Sequence, residues 1–144
     1  MGLILERIII AYKAGFNATF LKELKESINN NEIRARISYI EDLINVFVVG
    51  MVLTSLIIVS IFLEKIINIL YKQKYGKIEG GFGHKIKALG LNIVDAKSNY
   101  TLQNFYEKIR SKYIHKEVTK KLAPSNEEMQ ITFKLLRKFL ETLK

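Results

Sequence analysis

The chain has 144 residues, a formal charge of +9 and 49% apolar side chains, with one proline and no cysteine. That composition suits a single domain built on one hydrophobic core and excludes collagen-like or low-complexity disorder. Without cysteine there is no disulfide, thiolate zinc site or cysteine nucleophile, which fits a reducing compartment, and a cytoplasmic location is expected.

Residues 3–27 read LILERIIIAYKAGFNATFLKELKES, with apolar positions at Leu3, Leu5, Ile8, Ile9, Tyr12, Phe16, Phe20, Leu21 and Leu24. The mostly i, i+3, i+4 spacing predicts one amphipathic N-terminal helix, weakened in the middle by Gly15. Asn29, Asn30 and Asn31 give the first turn signal. Helix starts are then signalled at Asn31 and in Ser38-x-x-Glu41, a capping-box pattern. The second helix is expected to begin within 32–45.

From Leu43 to Leu63 the sequence LINVFVVGMVLTSLIIVSIFL carries no charge, which is the length of a transmembrane span. Asn45, Thr54, Ser55 and Ser60 interrupt it, and it flows directly into EKIINILYK. On a helical wheel Gly50, Thr54, Ser60, Glu64, Lys65, Asn68 and Lys72 fall within an arc of about 140°. The flanking charges are mixed, without a positive-inside bias. The expectation is a central helix of a bundle, with a small single-span membrane protein as the alternative. The N-terminus shows no signal-peptide pattern, and Glu6 breaks the myristoylation pattern.

A basic connector, KQKYGKIEGGFG, follows Tyr71. The spacing of Gly80, Gly81 and Gly83 does not match a phosphate-binding fingerprint, so they read as a loop ahead of a short helix from Phe82 to about Leu89, ended by Gly90. His84 reads as a residue of the loop or helix start. Thr101 is expected to cap the helix of TLQNFYEKIRSKYIHKEVTKK, bounded by Pro124. On it Leu102, Phe105, Tyr106, Ile109 and Tyr113 share a stripe about 100° wide, so core packing is the expected role of both tyrosines. A capping box, Ser125 to Glu128, opens a last helix with apolar positions at Met129, Phe133, Leu136, Phe139, Leu140 and Leu143. With no strand pattern, the predicted fold is all-α, an antiparallel up-and-down bundle of four to five helices. It forms a single domain over 1–144, with the bundle at about 38–144 behind the N-terminal helix.

The charge is localised. Residues 1–71 carry seven basic and seven acidic side chains, whereas 72–121 carry twelve basic against four acidic. A field of that kind suits a polyanion such as nucleic acid, or else a lysine-rich solvated surface. Within it lies RSKYIH at 110–115. On an ideal α-helix Arg110 flanks the apolar stripe, and His115 projects about 140° away from it, ~7.5 Å further along the axis. Five positions is not a helical contact spacing, so the two would meet only around a substrate in a groove, for instance beside a second copy of the helix. No carboxylate pair is spaced for acid–base work, and two histidines without cysteine make a poor metal set.

The R-x4-H spacing of Arg110 and His115 resembles the signature of HEPN-domain proteins. So does its setting, in which SIFLEKIINIL is followed by GGFGHKIKALGL and then LQNFYEKIRSKYIHK. That order also resembles the mannitol operon repressor branch over roughly residues 45–143. The resemblance implies a HEPN-like helical fold, a homodimer and a metal-independent endoribonuclease without cofactor, of toxin or defence-effector type. His115 would serve as general base or acid at the ribose 2′-hydroxyl, and Arg110 would hold the scissile phosphate. Lys108, Ser111, Lys112, Lys116 and Lys120 would bind RNA, Tyr106 or Tyr113 would stack a base, and an antitoxin or regulatory protein would be a further partner. Ser111 stands where active members usually carry Asn, Asp or His, and His115-Lys116-Glu117 departs from the H-x-Y of the toxin branch neutralised by a nucleotidyltransferase. The repressor branch implies a non-catalytic regulatory or interaction module instead.

Overall fold

Positive backbone φ at Gly15 and Gly50 decides where the first half of this chain turns. The computed structural model describes residues 2–114 and 123–144. The expected single N-terminal helix is two, α1 (Gly2–Lys13) and α2 (Ala18–Ser27). Gly15 adopts φ +95°, and a Cβ there would sit 2.7 Å from Nε of Arg137, so the helix ends where only glycine fits. Asn17 then caps α2 by accepting from the Phe20 amide at 2.8 Å. Phe16, Phe20, Leu21 and Leu24 are buried as the spacing implies. In α1, however, Ile10 and Ala11 face the core while Leu3, Leu5, Ile8, Ile9 and Tyr12 are exposed.

Helix α3 (Asn31–Val48) begins one residue ahead of the expected window. Its cap is Asn30, whose side chain accepts from the Glu32 and Ile33 amides. Ser38, the other start signal, lies inside the helix and donates to the Ala35 carbonyl. The uncharged run from Leu43 to Leu63 is not one helix. It breaks at Gly50, with φ +100°, and α4 (Val52–Tyr75) starts beyond it. α4 turns back along α3, Ser55 donating to the Leu43 carbonyl at 2.8 Å. Among the described residues α4 is the one helix long and apolar enough to cross a membrane by length and composition.

The connector leads to α5 (Phe82–Ala88), closed at Leu89 and Gly90 where the sequence places its end. An isolated bridge between Val94 and Thr101 closes the next loop. Asp95 fastens that loop by accepting from the Ser98 amide and hydroxyl. Burial alone would raise the Asp95 carboxyl, but those bonds, with Lys134 and Lys138 nearby, hold it below its ordinary value. Thr101 then caps the helix at 102–114 in a full capping box with Asn104. That helix consists of α6 (Leu102–Asn104), a π-helical segment (Phe105–Arg110) and α7 (Ser111–Ile114). Ser125 and Glu128 form the expected capping box of α8 (Asn126–Glu141).

The chain is all-helical apart from turns and that bridge, with no strand among the described residues. α4 is central, packing against α3, α5, α8 and the π segment, while α1 lies on α3 and α8. Phe133 of α8 ties the layers together, its ring 5.9 Å from Phe16 and 4.9 Å from Phe47. Because any side chain at Gly50 must adopt its left-handed φ, Gly50→Ala is expected to cost about 1–2 kcal/mol. Thermal denaturation should show a midpoint lower by roughly 3–6 °C with an unchanged helical spectrum; an unchanged midpoint would mean that the turn relaxes at no cost.

Candidate functional site

Arg110 ends the π segment, and its position follows from the extra residue which that turn accommodates. The amide of Ser111 bonds to the Tyr106 carbonyl five residues back. A π turn advances each residue by fewer degrees than the 100° of an α-helix. By Arg110 the accumulated lag has turned the side chain from the flank of the apolar stripe towards α4. Only 11% of that side chain is exposed, and Nη2 lies 3.2 Å from Oε1 of Glu64, an ion pair reaching across 46 positions. The guanidinium also sits 4.5 Å over the Tyr106 ring, which stacks on Phe82 at 4.2 Å.

Other expected site residues lie around this centre. Ser111 donates its hydroxyl to the Tyr106 carbonyl at 2.9 Å, so it serves the π turn. Lys108 is exposed over the Tyr100 ring. Lys112 is exposed and lies 3.5 Å from Glu128. Tyr113 packs against the core and donates to the same carboxylate, and Tyr106 is half-buried, so both tyrosines have packing roles. His115, Lys116 and Lys120 lie outside the described residues.

Sequence reading placed Glu64, Asn68 and Lys72 on one polar arc, and the structure supplies the partners of that face of α4. One turn beyond Glu64, Asn68 accepts from Nζ of Lys85 at 2.7 Å. Lys85 is only 7% exposed, and its ammonium also lies over the Tyr71 ring. Tyr71 in turn contacts Nε2 of His84 at 3.2 Å, so His84 has a definite partner. The signal was present, because Glu64, Asn68 and Lys72 stand at four-residue intervals on an otherwise apolar helix. Their partners were not legible. Among the described residues no group of three or more His, Asp or Glu could hold a metal ion.

No protein-family model matches this chain, no curated protein matches it, and no solved structure matches it.

Two outcomes are expected from this geometry. Glu64→Ala and Arg110→Ala should each destabilise the fold, and a double-mutant cycle should return a coupling of about 1–2 kcal/mol, because the pair is shielded but Glu64 remains partly solvated. Independent, additive losses would mean that the pair is incidental. At Glu128 burial pushes the carboxyl upward, yet bonds from Tyr113 and Ser125 and the charge of Lys112 bring it below its ordinary value. A depressed carboxylate contributes stability fully above its unfolded value of about 4.3 and loses it as pH falls through the folded value. The stability gap between wild type and Glu128→Gln should therefore be widest above about pH 5 and shrink in acid, as read by urea denaturation across pH.

Proposed function

We propose that this chain is a metal-independent endoribonuclease of HEPN type, its helices in the antiparallel up-and-down order of that fold, acting on RNA as a homodimer of toxin or defence-effector kind. The observation carrying this reading is the setting of Arg110, a guanidinium held by Glu64 and Tyr106 beside the exposed Lys108 and Lys112, five positions before His115. A planar guanidinium presents its donors in a fork that fits a phosphodiester, and Glu64 and Tyr106 fix the orientation of that fork. In the proposed step His115 takes the proton of a ribose 2′-hydroxyl, and that oxygen attacks the adjacent phosphorus. The bond to the 5′-oxygen breaks, leaving a 2′,3′-cyclic phosphate, and the departing 5′-alkoxide takes a proton from water to become the 5′-hydroxyl. Lys108 and Lys112, with Lys116 and Lys120, neutralise neighbouring phosphates, and an antitoxin or regulatory protein restrains the activity in a cytoplasmic setting.

Two observations favour a second reading, a non-catalytic HEPN-like regulatory module similar to the mannitol operon repressor branch. Glu64 already occupies the Arg110 guanidinium, and Ser111 is engaged by the backbone. RNA cleavage in EDTA separates the two. Wild type should cleave a mixed RNA pool, with His115→Ala and Arg110→Ala each slower by at least roughly 100-fold. No cleavage by folded wild type would leave the regulatory reading standing.

A further inference from the structure

Between α3 and α4 lies a cavity of about 520 Å³ that plays no part in the site described above. Arg36 reaches it from α3, and Lys65, Asn68 and Lys72 line it from α4. The three α4 residues stand at i, i+3 and i+7, so they share one face. Arg36 is the unusual member. The other four arginines each donate to an acceptor, Arg7 to the Val48 carbonyl, Arg34 to the Ile28 carbonyl, Arg110 to Glu64 and Arg137 to Glu141. Arg36 is half-buried, with Nε shut off from water, and has no hydrogen bond or ion pair among the described residues. Lys65 and Lys72 are exposed and equally unpaired. Glu32, the carboxylate in the lining, lies beyond ion-pair distance of all three cations. Asn68 adds a donor. Its Oδ1 is taken by the Lys85 ammonium, which can only donate, so Nδ2 is the end of the amide left for the cavity.

A second cavity, of about 230 Å³, adjoins the first, because Arg36 and Lys65 line both. Its other walls are Tyr39, Ile58, Ile61 and Phe62. From Lys72 to Ile58 the two run about 20 Å along α4, cationic at one end and apolar at the other.

We infer that this groove binds a phosphate monoester carrying a single alkyl chain, the phosphate on Arg36, Lys65 and Lys72 and the chain along Tyr39, Ile58 and Ile61. Charge selects the head group. Three cations against one carboxylate leave +2 in the lining. A phosphate monoester, at about −1.5 to −2 near pH 7, neutralises that excess, and a carboxylate or a phosphodiester does so only in part. Its three terminal oxygens can accept from a guanidinium, the ammonium groups and the Asn68 amide together. An uncharged apolar occupant would leave all three cations unpaired. An RNA backbone offers one charge per phosphate and no alkyl group for the apolar end. The groove lies on the α3 side of α4, whereas Arg110 meets Glu64 from the π segment, so the inference stands whether or not the chain cleaves RNA.

Isothermal titration calorimetry of the full chain with hexyl phosphate provides the test, at fixed salt because a charge of +9 attracts any anion. Wild type should bind one equivalent, and Arg36→Ala and Lys65→Ala should each weaken binding at least ~10-fold. Lys87→Ala, the same loss of charge outside the groove, should leave the affinity within about twofold. Inorganic phosphate and 1-hexanol should each bind at least ~10-fold more weakly than hexyl phosphate, since each fills one end only. Hexyl phosphate should also raise the thermal midpoint of wild type, and that rise should vanish in Arg36→Ala. If Arg36→Ala fails to fold, the exposed Lys72→Ala takes its place in both measurements. Absence of binding by folded wild type overturns the inference. So does equal weakening by Lys87→Ala, equal affinity for inorganic phosphate and hexyl phosphate, or hexanol binding as tight as that of hexyl phosphate. Single-stranded RNA that binds through Arg36 where hexyl phosphate does not would overturn it in favour of nucleic acid.

Discussion

A helix of twenty-four residues with Leu56, Val59, Leu63, Ile66 and Ile67 sealed from solvent has to be surrounded, and here α3, α5, α8 and the π segment surround α4. Each large aliphatic side chain withdrawn from water contributes roughly 1.5–3 kcal/mol, so those five residues alone outweigh any single polar interaction in the fold. The break at Gly50 makes this possible. It turns a run of membrane-span length into two helices that bury their apolar faces against each other.

A buried helix that also carries polar groups must satisfy them, and that requirement places the candidate site. Ser55 and Ser60 donate to backbone carbonyls and need nothing from outside. Glu64 and Asn68 are longer and cannot be satisfied by their own helix. They take Arg110 from the π segment and Lys85 from α5 as partners. The shielded charges are those of Arg110 and Lys85, and losing either partner would leave a cation poorly compensated, so the two pairs fix how α5 and the π segment sit along α4. The basic groups nearest the core are thereby held in place, while Lys108 and Lys112 keep their ammonium groups at the surface.

Local signals in the sequence were reliable wherever a single turn of chain decides the outcome. Thr101, Ser125 and the pair Leu89–Gly90 mark helix ends because a cap needs only its own neighbours in sequence. Ser38-x-x-Glu41 carries the same pattern and caps nothing, since Asn30 had already started the helix and its interior residues bury Ile37 and Ile40. Gly15 and Gly50 were visible as glycines, but whether a glycine weakens a helix or ends it depends on what approaches its α-carbon. At Gly15 that neighbour is Arg137, from the far end of the chain.

The amino-acid sequence by itself determined the helical class, most of the caps, the concentration of basic charge in 72–121 and the pairing of Arg110 with His115 in one motif. Those are properties of composition and of short-range periodicity. Tertiary structure decided which faces those residues occupy. A π turn is one extra residue held in place by packing, and no spacing rule announces it, yet it carries Arg110 from the flank of a stripe to a carboxylate on α4. The stripe of α1 is the converse case. Its periodicity reads as a core face, but α3 and α8 reach only Ile10 and Ala11, and the larger side chains are left outward because burial is a property of the neighbours and not of the helix alone.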